Sequence, residues 1–98
     1  MEAMTLAPRL YRARQLAFGF PSVRWTLLRD CERERWRRVA ARVAALPSIS
    51  GRQLFEAWAV DLYPVPWSQQ PEETRLKWQY MAWEIADDTR RDAEGIAA

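Results

Sequence analysis

The chain has no histidine, one cysteine, one lysine and three glycines in 98 residues. Without histidine, no side chain has an ordinary pKa near neutrality, and the commonest metal ligand is missing. One cysteine excludes an internal disulfide framework and the paired thiols of a structural zinc site. Cys31 reads as a small core or boundary residue rather than a nucleophile. Three glycines, none clustered, leave no phosphate-cradling loop. No apolar run approaches the ~20 residues needed to cross a bilayer. Met1-Glu2 leads into neither a basic stretch nor a hydrophobic one, so no signal peptide is expected. No strand pattern appears anywhere. The carboxylates offer little in place of the missing groups. Asp87 and Asp88 are adjacent, and on a helix adjacent residues point to different sides and cannot work as an opposed acid and base. Asp61, Asp87, Asp88 and Asp92 offer no more than a casual cation site. The sequence therefore predicts no enzyme, no cofactor and no dedicated metal site.

Aromatic side chains are plentiful instead, with six Trp, three Tyr and three Phe, and each can bury a large apolar area. The tryptophans fall into an internal repeat. Val23-Arg24-Trp25, Arg33, Trp36, Val39-Ala40 and Val43-Ala44 recur 42 residues later as Val65-Pro66-Trp67, Arg75, Trp78, Met81-Ala82 and Ile85-Ala86. The segments before them correspond at an offset of 44, pairing Leu10 with Leu54, Tyr11 with Phe55, Ala13 with Ala57 and Leu16 with Val60. A repeat of this kind fixes architecture before it fixes chemistry.

Each unit reads as a short helix, a Trp-bearing link and a long helix. Thr5-Leu6-Ala7-Pro8 opens the first helix, with threonine as cap and proline in the first turn, and Gly19-Phe20-Pro21 ends it. The second helix is predicted over Arg29 to Leu46, stopped by Pro47, with a start nearer Ser22 left open. Ser50 and Gln53 have the spacing of a capping box and open a third helix over about 51–63. Tyr63-Pro64-Val65-Pro66-Trp67 must be non-helical, since each proline drives its predecessor toward an extended conformation. Pro71 takes a first helical position, and the fourth helix runs over about 71–93 until Gly95 closes it, leaving Ile96-Ala97-Ala98 frayed. A lone helical pair buries too little to be stable. The expectation is one all-α domain over 1–98, four helices in two tandem helix-link-helix units (about 5–46 and 50–94) packed into a small bundle.

Spacing at about 100° per residue puts Trp36, Val39, Ala40 and Val43 on one stripe, matched by Trp78, Met81, Ala82 and Ile85. These are the predicted core, with the Trp25 and Trp67 rings folded over its ends. The backs of the two long helices differ. The second carries Glu34, Arg38 and Ala41; the fourth carries Leu76, Tyr80 and Trp83 at the same positions. An apolar ridge where the sister unit is wet marks an interaction site, and Tyr and Trp are frequent interface anchors. The alternative is that the first helix or the C-terminal tail folds over it.

The net charge of +2 hides a split. Residues 1–52 carry eleven Arg against four acids, and residues 53–98 carry four bases against nine acids. Arg35, Arg38 and Arg42 share a helix face suited to steering a partner or meeting phosphates. Glu32 and Glu34 are interleaved with them, and Arg38 can pair with Glu34, so a salt-bridged wet face is the competing reading. No helix-turn-helix spacing is present.

The string Leu54-Phe55-x-Ala57-Trp58, Pro66-Trp67-x-x-x-Pro71-x-x-x-Arg75-x-x-Trp78-x-x-x-Ala82 resembles a pattern of small bacteriophage helical-hairpin proteins, Trp-x-x-Leu-Pro-x-x-x-Arg-x-x-Trp. The likeness spans residues 54–86, with a degenerate copy over 10–44. Gln70 replaces the leucine of the pattern, and Arg29 replaces its proline in the first copy. What the resemblance implies is a phage or prophage accessory protein in the cytoplasm of a bacterial host. The functional expectation is stoichiometric binding of a host protein, inhibiting or modulating it, through Leu76, Tyr80 and Trp83. The alternatives are a nucleic-acid-binding regulator using the arginines, or a self-associating assembly protein such as a homodimer.

Overall fold

The glycine-proline punctuation and the two aromatic links divide the chain into four helices, and a computed structural model describes residues 3–21, 23–60 and 66–97. Helix α1 covers Ala3–Phe18, α2 Asp30–Val43, α3 Gly51–Ala59 and α4 Glu72–Ala97. Single 3-10 turns precede the long helices, at Trp25–Leu27 and Trp67–Gln69. No strand occurs among the described residues. The chain is all-α, as its periodicity predicts.

The 42-residue repeat holds at the level of single hydrogen bonds. Leu27 N–H donates to Arg24 O at 2.9 Å, and Gln69 N–H to Pro66 O at 2.9 Å. The next residues, Leu28 and Gln70, are both extended (φ −68°, ψ 151° and φ −70°, ψ 141°). Each long helix then starts with a bond to the residue before it, Arg33 N–H to Arg29 O at 3.1 Å and Arg75 N–H to Pro71 O at 3.0 Å. Pro71 therefore caps α4 rather than occupying its first turn. The Trp25 and Trp67 links are thus 3-10 turns, which let a bulky ring fold back within three residues.

The core is the predicted one. Trp36, Val39, Ala40 and Val43 are buried beside Trp78, Met81, Ala82 and Ile85. The short helices add Leu6, Leu10, Tyr11 and Ala13 from α1, and Leu54, Phe55 and Ala57 from α3. Full burial of one such aliphatic side chain is worth roughly 1.5–3 kcal/mol. Aromatic geometry repeats as well. Tyr11 meets Trp25 at 6.0 Å and Trp36 at 6.3 Å, while Phe55 meets Trp67 at 5.6 Å and Trp78 at 5.7 Å. Helix α1 packs on α2 and α4, and α3 packs on α4 and α2. Arg9 pairs with Asp92 while Phe18 meets Trp78, so α1 and α4 run antiparallel.

Helix ends depart from the sequence reading. Helix α1 begins at Ala3, so Thr5 lies inside it and Pro8 is an interior residue. Pro8 forgoes one bond to the carbonyl four residues back, a loss that burial of Leu6, Ala7 and Leu10 offsets. At the other end Gly19 has φ 70° and Phe20 N–H reaches Gln15 O at 3.1 Å, closing the helix as the glycine predicts. Helix α2 stops at Val43, three residues short of Leu46. Pro47 excludes Leu46 from helical backbone, and Leu46 N–H closes a tighter turn on Val43 O at 3.1 Å. Helix α3 ends at Ala59 with Val60 in a turn, short of the predicted end, and residues 61–65, the remainder of that prediction and most of the proline link, lie outside the described residues. So does Ser22. Gly95 does not terminate α4, which continues to Ala97. Gly19 is the one described glycine with positive φ, so Gly95 lacks the left-handed conformation that a glycine stop uses.

Candidate functional site

Helix α4 buries one stripe and leaves the opposite one open. Leu76, Tyr80 and Trp83 are 55%, 42% and 58% exposed, against 1% for Trp78. Neither α1 nor the helical C-terminal residues seal the ridge. On α2 the equivalent Glu34, Arg38 and Ala41 are exposed too, but they are polar or small. The ridge is ordered by its own contacts. Tyr80 and Trp83 rings lie 6.1 Å apart at 30°, and Tyr80 Oη donates to Glu84 Oε1 at 2.8 Å. That hydrogen bond, with some desolvation and the Glu84 charge, raises the phenol pKa above its usual value. Lys77 pairs with Glu73 at 3.3 Å beside the ridge. The surface is therefore aromatic with charged edges.

The three arginines of α2 do not form one open stripe. Arg35 is half-buried, with its guanidinium 4.5 Å from the Trp58 ring centre. Arg42 Nη1 donates to Ala57 O at 2.8 Å, fastening α2 to α3. Arg38 stays outward, 3.9 Å from Glu34. Two of the three thus serve packing between helices, a use that helical spacing alone does not reveal.

Cys31 is exposed rather than in the core or at its boundary, because it falls on the side of α2 away from the Trp36 stripe. Among the described residues no three His, Cys, Asp or Glu side chains gather into a metal-holding group. Asp87 is occupied by Arg90 at 2.8 Å and Arg91 at 2.7 Å, and Asp92 by Arg9 at 2.8 Å. Asp61 lies outside the described residues. Among the described residues no helix is long and apolar enough to cross a membrane.

Sequence reasoning passed over a cleft of about 640 Å³ between α1, the first link and α2. Arg14, Arg29, Arg35 and Glu32 line it with Tyr11 and Trp58. Its rim is pinned by two hydrogen bonds from α1, Tyr11 Oη to Val23 O at 2.8 Å and Gln15 Nε2 to Pro21 O at 2.7 Å. Arg14 lies 4.5 Å from the Trp58 ring centre and 5.1 Å from those of Phe18 and Phe20. Burial, then the nearby Arg35 charge, lower its pKa to about 10. The overlooked signal was the 44-residue register, which sets Arg14 against Trp58 where most other pairs match in type.

Comparison with known proteins adds no relative: no protein family, curated protein or solved structure matches the chain.

Proposed function

We propose that this protein is a small non-enzymatic binding module that docks a partner protein on the α4 ridge and modulates that partner stoichiometrically. The observation that carries the reading is the exposure of Leu76, Tyr80 and Trp83 beside a fully buried Trp78 on the same helix. Covering large apolar groups left in water is favourable, and Trp and Tyr are enriched among the few residues that carry most of the binding energy at protein interfaces. That the partner belongs to a bacterial host, and that binding inhibits it, rests on the phage resemblance alone.

The test is affinity capture from bacterial lysate with the wild-type chain and with Trp83→Ala and Leu76→Ser. A partner retained by the wild type and lost by both variants supports the module. A partner retained equally by all three removes the ridge from the reading. Self-association uses the same ridge and separates by light scattering of the purified chain: a dimer that Trp83→Ala dissolves makes the partner a second copy of the chain.

A further inference from the structure

The cleft beside α1 has a lining that packing alone does not require. Its floor holds Arg14, whose Nε is buried without a hydrogen-bond partner, and no carboxylate pairs with Arg14 among the described residues. Among the described residues, Arg29 and Arg35 bring the arginines in the lining to three, against one carboxylate, Glu32. Arg14 and Arg35 sit on the same Trp58 ring at 4.5 Å each, so two like charges are held together in a partly desolvated place. The lining is also apolar and wet: Phe20, Val23 and Leu27 are exposed by 44%, 43% and 73% and line the same cleft, Phe20 beneath the Arg14 guanidinium. A site that combines cations with open apolar groups in a volume of about 640 Å³ has the size and mixed character of a small-molecule pocket.

We propose that this cleft binds a small organic anion, with its carboxylate or phosphate on Arg14 and Arg29 and its apolar, aromatic body against Phe20, Val23 and Leu27. The planar guanidinium matches either head group through paired N–H donors. An anion there meets the Arg14 guanidinium through its outer nitrogens, since Nε is closed off from solvent, and offsets the neighbouring Arg35 charge. Glu32 opposes it, which limits affinity in the free protein. The inference is independent of the α4 ridge, since none of its residues lies on that helix.

The probe is phenyl phosphate, titrated into ¹⁵N-labelled protein while the Arg14 Nε–H and Trp58 indole N–H resonances are followed. Saturable shifts of both are expected, with a Kd of about 0.1–1 mM for a ligand of this size. Arg14→Gln should weaken binding about tenfold and Arg29→Gln about threefold, since each removes a charge-assisted contact. Arg29 is exposed on the rim, so its variant keeps the test valid if Arg14→Gln fails to fold. Glu32→Gln should tighten binding. Phenylacetate in a parallel titration identifies whether carboxylate or phosphate is the preferred head group. No saturation by about 10 mM of either anion overturns the proposal, as does equal binding of neutral benzyl alcohol. Equal binding of inorganic phosphate overturns it too, because the apolar rim then contributes nothing.

Discussion

Arg14 and Trp58 stand 44 residues apart at the same position of the two repeat units, and the Arg14 guanidinium lies 4.5 Å from the centre of the Trp58 indole. The two short helices thus meet through unlike side chains at a point where strict duplication would set two arginines or two tryptophans face to face. Two arginines would repel, whereas a cation over an indole face is attractive. A double-mutant cycle with Arg14→Met and Trp58→Leu should give a coupling of about 1–2 kcal/mol by chemical denaturation. A coupling within error of zero would mean that the two groups are only neighbours.

Gly51 fixes how closely α3 approaches α4. A β-carbon there would stand 2.6 Å from Gln79 N and 2.8 Å from Gln79 Cα, both backbone atoms of α4. Its equivalent in the first unit is Ala7, which is fully buried, so α1 tolerates a methyl group where α3 does not. Gly51→Ala should cost about 1–3 kcal/mol through overpacking, although alanine is the better helix former. For a domain of this size that is roughly 4–8 °C of melting temperature per kcal/mol. An unchanged or raised Tm would show that the helices separate freely.

Ser50 accepts from Gln53 N–H at 3.1 Å, and Gln53 Oε1 accepts from Ser50 N–H at 2.8 Å. The box starts a helix of only nine residues, too short to hold itself together. Ser50→Ala should cost about 1 kcal/mol, and hydrogen exchange should quicken first in α3. Loss of protection spread evenly over all four helices would argue that the cap is not local to α3.

Five residues separate Trp78 from Trp83 on α4, and the same substitution should read oppositely at the two. Trp78→Ala removes a side chain 1% exposed and should cost about 3–5 kcal/mol. Trp83→Ala, on a side chain 58% exposed, should stay within about 0.5 kcal/mol of wild type. Calorimetry of the two variants decides it, and a large loss at Trp83 would make the ridge a part of the core.

The Trp36 and Trp78 stripes, the Ser50 box and the Gly19 stop were all legible in the sequence because each depends on residues within a few positions. The repeat also placed Trp25 and Trp67 against the core, where both are partly buried. What was not legible depends on atoms brought from far along the chain. Arg35 reads as a surface charge until α3 supplies the Trp58 ring, and Arg42 until α3 supplies the Ala57 carbonyl. The cleft at Arg14 needs α1, the first link, α2 and Trp58 of α3 together, and no stretch of the sequence announces it. Gly95 misled for the converse reason: a glycine stop needs a left-handed backbone, which composition alone does not reveal.

Tyr11 provides the clearest dependence on pH. Its phenol donates to Val23 O at 2.8 Å, and burial, then the Glu32 charge, raise its pKa above 10.0. Its repeat partner is Phe55, so phenylalanine is already accommodated at the equivalent site. Tyr11→Phe should cost about 1 kcal/mol through the lost hydrogen bond. The sign follows from the raised pKa: the folded state holds its proton longer than the unfolded chain, so the contribution is complete below pH 10 and declines as pH rises through the folded-state value. Arg14 shifts in the opposite sense, but it is present in both proteins and cancels in the difference. The gap in Tm between wild type and Tyr11→Phe should therefore stay constant from pH 6 to 9 and narrow above about pH 10. A gap that holds steady beyond pH 11 would show that the phenol ionises as easily in the folded protein as in the unfolded chain, and that its hydrogen bond to the first link contributes no linkage.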